Sequence, residues 1–266
     1  MDAHSSSVNR QAYDRMSAGR LIHGSPHLRF ASIRLLYLRL LNETMDLSGK
    51  REPLIVDLGA GEGTATLPCL KSGARVIAID VSQAQLDRLS QAGAPYRSRL
   101  ETVTADAGRA IGALAGRPVD IILANSFLHH VPDYLSLVRD AASLLGPGGQ
   151  FMSFQDPLRY DTVSRFTRLF TTFFHVTARI ADGDIIGGIT RRLRRSRGTF
   201  LPEDDVEYHV ARNGVDHAAL QEALRTAGFT TRLTTYYSSI NPAGQTLGTL
   251  LRLRNQFALH GIKERT

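Results

Sequence analysis

Apolar positions along the chain fall into blocks with two different periods. Leu54–Leu58, Arg75–Asp80, Leu100–Ala107, Val119–Asn125 and Gln150–Gln155 are short apolar or β-branched runs, as a strand covered on both faces requires. Thr64–Leu70 reads as the opening turns of a helix. In Tyr134–Leu145, Leu135, Val138, Ala142 and Leu145 take helical spacing, and Gly146-Pro147-Gly148-Gly149 stops that helix before the fifth strand. Ahead of the first strand, Ile33, Leu36, Tyr37, Leu40 and Leu41 lie on one helical face. Tyr13, Met16, Leu21, Ile22 and Leu28 predict another helix before it. Later, Phe166, Phe170, Phe173 and Phe174 make Tyr160–Ile180 an amphipathic helix, and Glu207-Tyr208-His209-Val210 reads as a short strand. Asn213-Gly214 is a turn, and Asp216 caps a helix over His217–Ala227 that Gly228 closes. Phe229–Ser238 and Phe257–Ile262 alternate as two late paired strands, joined through Asn241-Pro242-Ala243-Gly244 and a leucine-bearing helix. Strands alternating with helices predict an α/β domain around a mostly parallel sheet.

The densest chemistry follows the first strand, in Asp57-Leu58-Gly59-Ala60-Gly61-Glu62-Gly63-Thr64. Glycines at alternate positions allow a sharp turn and let a ligand press on the main chain. A dinucleotide fingerprint needs its third glycine at position 64, where the chain has Thr64. Asp57 and Glu62 also oppose a pyrophosphate, which seeks amides and positive potential, and suit a cationic ligand instead. S-adenosylmethionine carries an ammonium and a sulfonium and no phosphate. The stretch resembles motif I of the class I S-adenosylmethionine-dependent methyltransferases.

Four further segments follow in that family's order. Asp80 ends the second strand about 20 residues beyond the loop, where a carboxylate binds a ribose diol. By the resemblance, Asp106 contacts the adenine amino group. Asn125-Ser126-Phe127-Leu128-His129-His130-Val131-Pro132-Asp133 is similar to the fourth-strand motif of small-molecule methyltransferases, and Leu145-Gly146-Pro147-Gly148-Gly149 before an apolar strand is a frequent companion. The resemblance covers about Leu54 to Asp156. It implies S-adenosyl-L-methionine as cofactor, held by Asp57, Gly59, Ala60, Gly61, Asp80, Val81, Asp106, Ala107, Asn125 and Ser126. It also implies a Rossmann-like, seven-stranded, mostly parallel sheet with an antiparallel final strand and a helical cap. The expected organisation is a helical lid over residues 1–50, a core over 51–157 and 213–266, and an inserted acceptor-binding cap over 158–212. Tyr13 or His23 of the lid is a candidate to reach the ligand.

Proton removal from the acceptor directs attention to His129 and His130, at the carboxyl edge of the sheet where ligands of open α/β folds bind. Neighbouring side chains in an extended segment diverge, so one is expected to face the acceptor; His130 is preferred, with His129 and Asp156 as partners. The alternative is that both histidines orient the loop, and Asp156 has the alternative of capping a helix near Leu158. His209 is a further pocket candidate. The phenylalanine stripe in the cap fits an apolar or aromatic small-molecule acceptor.

Composition narrows this little. Lys plus Arg number 32 against 25 Asp plus Glu, with much of the excess in Arg191, Arg192, Arg194, Arg195 and Arg197. This motivates an RNA or other nucleic-acid acceptor as the alternative, but Asn125-Ser126-Phe127-Leu128 lacks the Asn-Pro-Pro-Tyr turn of base-amine methylation, and the run also reads as a solvated loop. Cofactor binding without methyl transfer is a third reading. Cys69 is the only cysteine, which excludes internal disulfides and multi-cysteine metal sites. It reads as a small buried hydrophobe rather than a nucleophile. A cytoplasmic protein with no metal and no membrane partner is expected; a homodimer stays open.

Overall fold

The computed structural model describes residues 7, 9, 10, 14, 26–181, 206 and 208–265. Seven strands form one sheet: β1 Leu54–Leu58, β2 Arg75–Asp80, β3 Leu100–Thr104, β4 Val119–Asn125, β5 Leu145–Pro157, β6 Phe229–Tyr236 and β7 Gln256–Lys263. Their order is β3-β2-β1-β4-β5-β7-β6. β1 to β5 pair in parallel, while β7 runs antiparallel to both β5 and β6. The strand order therefore reverses at β1 and β4, and loops leaving their carboxyl ends open the crevice where such folds bind ligands.

Helices cover both faces: α1 Pro26–Arg29, α2 Ala31–Leu47, α3 Thr66–Lys71, α4 Gln83–Ala92, α5 Ala107–Ala113, α6 Tyr134–Leu144, α7 Arg165–Ala181, α8 Tyr208–Arg212, α9 His217–Thr226 and α10 Pro242–Leu250. One apolar cluster joins Val56, Ile77, Ile122 and Phe151 to α5, α6 and α9. A second joins Ile55, Leu123, Met152 and Phe154 to Ile33, Tyr37, Leu40 and Leu41 of α2 and to Cys69. Adjacent β1 residues thus serve opposite faces, as a pleat buried on both sides requires. The helix predicted from Ile33, Leu36, Tyr37, Leu40 and Leu41 is α2 of this covering layer, while the helix expected from Tyr13 to Leu28 lies largely outside the described residues.

Several expected boundaries shift. β5 starts at Leu145, opposite Val119, and its pairing resumes at Gln150 opposite Ile121. Gly146–Gly149 is thus an irregular stretch within the strand, where a stop between elements was expected. The segment at Tyr208 is helical, not a strand: Arg212 lies over the Tyr208 ring at 3.8 Å and donates to the Tyr208 carbonyl, a pairing that one helical turn brings together. Asp156 caps no helix near Leu158, since the single turn at Tyr160–Thr162 is preceded by Arg159 and α7 begins only at Arg165.

Candidate active site

The glycine loop docks on the end of β2, with the Gly59 and Ala60 amides donating to the Ile79 carbonyl at 2.9 and 3.0 Å. Gly59 has φ +69°, and a Cβ on it would lie 2.3 Å from Cδ2 of Phe127. Gly61 has φ +53°, and its missing Cβ would meet only Gln85 Oε1, at 3.8 Å, so its backbone borders open space. The two glycines serve different ends: Gly59 lets the loop pack on the β4 segment, and Gly61 lets a ligand approach.

A cavity lies above the loop, lined by Asp57, Gly59, Ala60, Gly61, Asp80, Val81, Ala107, Asn125, Ser126 and His130 among others. The structure therefore gathers every expected cofactor residue except Asp106, whose carboxylate caps α5 by accepting from the Gly108 amide at 2.9 Å. Its neighbours Ala105 and Ala107 form the wall there. Glu62, Thr64, Gln85 and Phe127 also contribute, as do Asn9 and Leu28 from the N-terminal segment. Phe127 lies in the same fourth-strand motif as Ser126, which is the signal that points to it. Nothing in the local pattern signals Asn9. Tyr13, His23 and the arginines at 191–197 lie outside the described residues.

Asp80 carries the loop's order. Its two oxygens accept from the Gly61 amide and the Ser82 amide, both at 2.9 Å. Ser82 Oγ donates to Asp14 at 2.5 Å, tying the N-terminal segment to the Asp80 corner of the cavity. Burial raises the Asp80 pKa and the backbone bonds hold it down.

Asp57 is 1 % exposed; its Oδ2 accepts from Thr66 Oγ1 at 2.6 Å, while its Oδ1 has no partner among the described residues. Burial pushes its pKa up to about 7. Glu62 differs, because Arg88 donates to it at 2.5 Å and matches its charge. Of these two acids it is Asp57 whose charge is unmatched among the described residues, a refinement of the expectation that both served that purpose. Asn125 Oδ1 and Asn9 Oδ1 are likewise buried without a donor among the described residues. Three acceptor oxygens on one cavity fit an ammonium group, and among the described lining residues no lysine or arginine answers a pyrophosphate. The residues present thus fit S-adenosylmethionine and not a dinucleotide.

On the far wall, His130 is buried and its Nδ1–H donates to the Val206 carbonyl. That bond fixes the tautomer and leaves the lone pair on Nε2. Burial, and then the neighbouring His129, holds the imidazole well below its ordinary pKa, so it is neutral at neutral pH. His129 does not line the cavity. Its ring lies 4.0 Å from that of His130, and Asp156 Oδ1 accepts both its backbone amide at 3.0 Å and its Nδ1–H at 2.8 Å. The other Asp156 oxygen is buried and unpaired among the described residues. His209 sits behind, with Nε2 2.9 Å from the Val131 carbonyl and its ring edge-on to Tyr134, so it braces the loop and does not line the cavity.

A bulge puts Asp156 in place. β7 pairs Ala258 with Phe154 and the next residue, Phe257, with Asp156, so Gln155 is inserted without a partner in the ladder. Gln155 takes φ +65°, an unfavourable conformation for a residue with a side chain, and is held by Tyr236: its amide donates to the Tyr236 hydroxyl, which donates back to Gln155 Oε1, each at 3.0 Å. Ser126, at the matching end of β4, has φ +52° and donates its amide to the Phe154 carbonyl at 2.7 Å. Two strained residues on adjacent strand ends thus flank the candidate site.

Among the described residues no cluster of His, Cys, Asp and Glu could hold a metal ion, and no helix is long and apolar enough to cross a membrane. Cys69 is 1 % exposed and burial, with Asp57 nearby, raises its thiol pKa, as suits a core hydrophobe.

Residues 56–151 match the family model described as "Methyltransferase domain". Over 152 residues the chain is 30% identical to a ubiquinone biosynthesis O-methyltransferase of Methylobacterium sp. (strain 4-46), covering 53% of this chain and 56% of that protein. A protein of the same description from Stutzerimonas stutzeri (strain A1501) is 32% identical over 112 residues, covering 41% of this chain and 46% of the relative. The chain thus matches about half the length of these relatives. Among solved structures, magnesium protoporphyrin IX methyltransferase from Synechocystis PCC 6803 with bound SAH superposes with a TM-score of 0.58 at 16% identity, covering 98% of this chain and 100% of the other. At that identity the likeness concerns the fold.

Proposed function

We propose that this chain, a class I S-adenosylmethionine-dependent methyltransferase by its domain match over residues 56–151 and its sheet order, transfers the methyl group to a hydroxyl oxygen of a small apolar or aromatic metabolite. The observation that carries the reading is one cavity walled on one side by the glycine loop, Asp57 and Asp80 and on the other by His130. The similarity to ubiquinone biosynthesis O-methyltransferases supports oxygen as the acceptor atom.

When bound, S-adenosylmethionine supplies an electrophilic methyl group on a sulfonium. Asp80 binds the ribose hydroxyls, and Gly61 admits the cofactor against the backbone. Asp57, with Asn9 and Asn125, would hold the ammonium, and a cation there would favour the ionised form of the Asp57 carboxyl. His130 Nε2 takes the proton of the acceptor hydroxyl as the oxygen attacks, and the Val206 carbonyl fixes its tautomer. His129 is a positioning residue: Asp156 fixes its ring, and that carboxylate supplies negative charge beside the proton-holding imidazole. Asn9 and Leu28 on the cavity support a lid made of the segment before α2, with α2 itself in the core layer.

Calorimetric titration with S-adenosylmethionine and with NAD, followed by transfer of a labelled methyl group to a panel of phenols and apolar alcohols, tests this. Binding of the former alone and labelling of an oxygen are expected, with His130→Ala reducing turnover about 100-fold at nearly unchanged cofactor affinity. Cofactor binding with no labelled product across the panel would remove O-methyl transfer.

A further inference from the structure

The loop that carries His129 and His130 hangs from β5 at two points, one on each side of Gln155. Before the bulge, the Phe154 carbonyl accepts from the Ser126 amide at 2.7 Å. After it, Asp156 Oδ1 accepts from both the amide and the ring of His129. Phe154 belongs to the apolar layer shared with α2, whereas Phe257 belongs to the opposite layer, together with Leu128 and Val131 of the histidine loop. Side chains of a regular strand alternate between faces, so in an unbulged β5 residue 155 would stand opposite Phe257 and residue 156 would share the face of Phe154. Asp156 would then turn away from His129. The inserted residue puts Asp156 opposite Phe257, on the histidine side.

That insertion needs a brace, because Gln155 takes φ +65° and its amide has no partner in the ladder. Tyr236 answers both needs: its hydroxyl accepts from the Gln155 amide and donates to Gln155 Oε1, each at 3.0 Å. Gln155 Nε2 donates on to Ser238 Oγ at 2.9 Å. The Tyr236 ring is fixed by stacking on Phe154, with centroids 5.1 Å apart, and Phe154 meets Tyr37 of α2 at 4.8 Å. Tyr237 packs elsewhere, edge-on to Phe170 of α7 at 5.9 Å. Phe174 of α7 likewise packs, on Gly244 of α10, while Phe166 and Phe173 are exposed, so the expected acceptor-facing stripe is split. Tyr236 does not line the cavity. We infer, resting on the reading of His130 as the proton acceptor, that Tyr236 is a positioning residue for methyl transfer: its hydroxyl holds the Gln155 bulge, and the bulge presents Asp156 to His129 behind His130.

Tyr236→Phe keeps the ring and removes the hydroxyl. Labelled-methyl transfer by the full chain should fall about tenfold or more in kcat, at unchanged affinity for S-adenosylmethionine, whose titration also checks that the variant is folded. Glycine adopts φ +65° without a brace, so Gln155→Gly should lower kcat by less than Tyr236→Phe does. Adding Tyr236→Phe to Gln155→Gly should then cost no more than about a further twofold, a non-additivity expected only if the hydroxyl acts through the bulge. NMR checks the geometry without turnover: the Nδ1–H of His129, held by Asp156, should lose protection from exchange in Tyr236→Phe and regain it in the double variant. Wild-type protein that transfers no methyl group would remove the functional reading and leave that NMR test standing. Unchanged protection of His129 in Tyr236→Phe would overturn the positioning role, whatever happens to kcat. So would a double variant no better than Tyr236→Phe alone, since the hydroxyl would then act by another route.

Discussion

The two walls of the cavity are built over different distances along the chain. On the cofactor side the bonds are short in sequence: Gly61 donates to Asp80 across 19 residues, and Ser82 to Asp80 across two. The donors are backbone amides whose positions follow from the turn itself. On the side of His130, which alone of these histidines lines the cavity, His130 meets Val206 across 76 residues, and behind it His129 meets Asp156 across 27 and His209 meets Val131 across 78. That wall exists only once the segment after β5 is folded over the end of β4. Cofactor affinity and turnover should therefore be separable by mutation.

The largest effect expected is from Gly59→Ala, which adds a Cβ in the left-handed region, 2.3 Å from the Phe127 ring. Cofactor affinity should fall by about 3 kcal/mol or more, read by calorimetry, because the loop must leave β2. Near-normal affinity would mean that this wall tolerates movement as the other does. Asp156→Asn probes the opposite side. It keeps an acceptor for His129 but loses the charge, so kcat should drop about 100-fold with cofactor affinity unchanged. A parallel loss of both would break the separation.

Asp80→Ala should weaken cofactor binding by roughly 1 to 3 kcal/mol, since it removes the acceptor for the ribose and leaves the Gly61 and Ser82 amides unanswered. Turnover at saturating cofactor should stay close to wild type.

The smallest effect is one of pH. In the unfolded chain Asp57 ionises near the ordinary carboxylate value, and burial in the fold raises its pKa to about 7. The folded form thus holds a proton that the unfolded one has lost, and this group's stabilisation, complete below the unfolded pKa, declines as pH rises through 7. Cofactor binding has the opposite dependence, because the ammonium needs the ionised carboxylate. Affinity should increase by up to about tenfold per pH unit towards pH 7 and then level off, with a proton released on binding. Calorimetry in two buffers of different ionisation enthalpy measures that proton; its absence would place the ammonium elsewhere.

Much of the cofactor side was legible beforehand. The end of β1, the alternating glycines and the acid ending β2 are local patterns whose backbone consequences are fixed by sterics, and they lie where the sequence places them. Asp106 and Glu62 have partners that such reading does not record. Asp106 accepts from the Gly108 amide of α5 and Glu62 from Arg88, and a linear pattern carries no trace of either contact. The position of Asp156 at the strand end is legible, but not the reason it reaches His129, which is the bulge at Gln155 braced by Tyr236 81 residues later. Val206 and Asn9 gave no local signal at all.

Sequence alone determined the elements, the parallel sheet and the chemistry of the glycine loop, because hydrophobic period, glycine sterics and charge act within a few residues. Tertiary structure decided which histidine lines the cavity, which oxygens stay unpaired inside it, and which phenylalanines of α7 pack and which stay outside. Those outcomes depend on burial and on partners from distant strands, and burial is a property of the packed molecule.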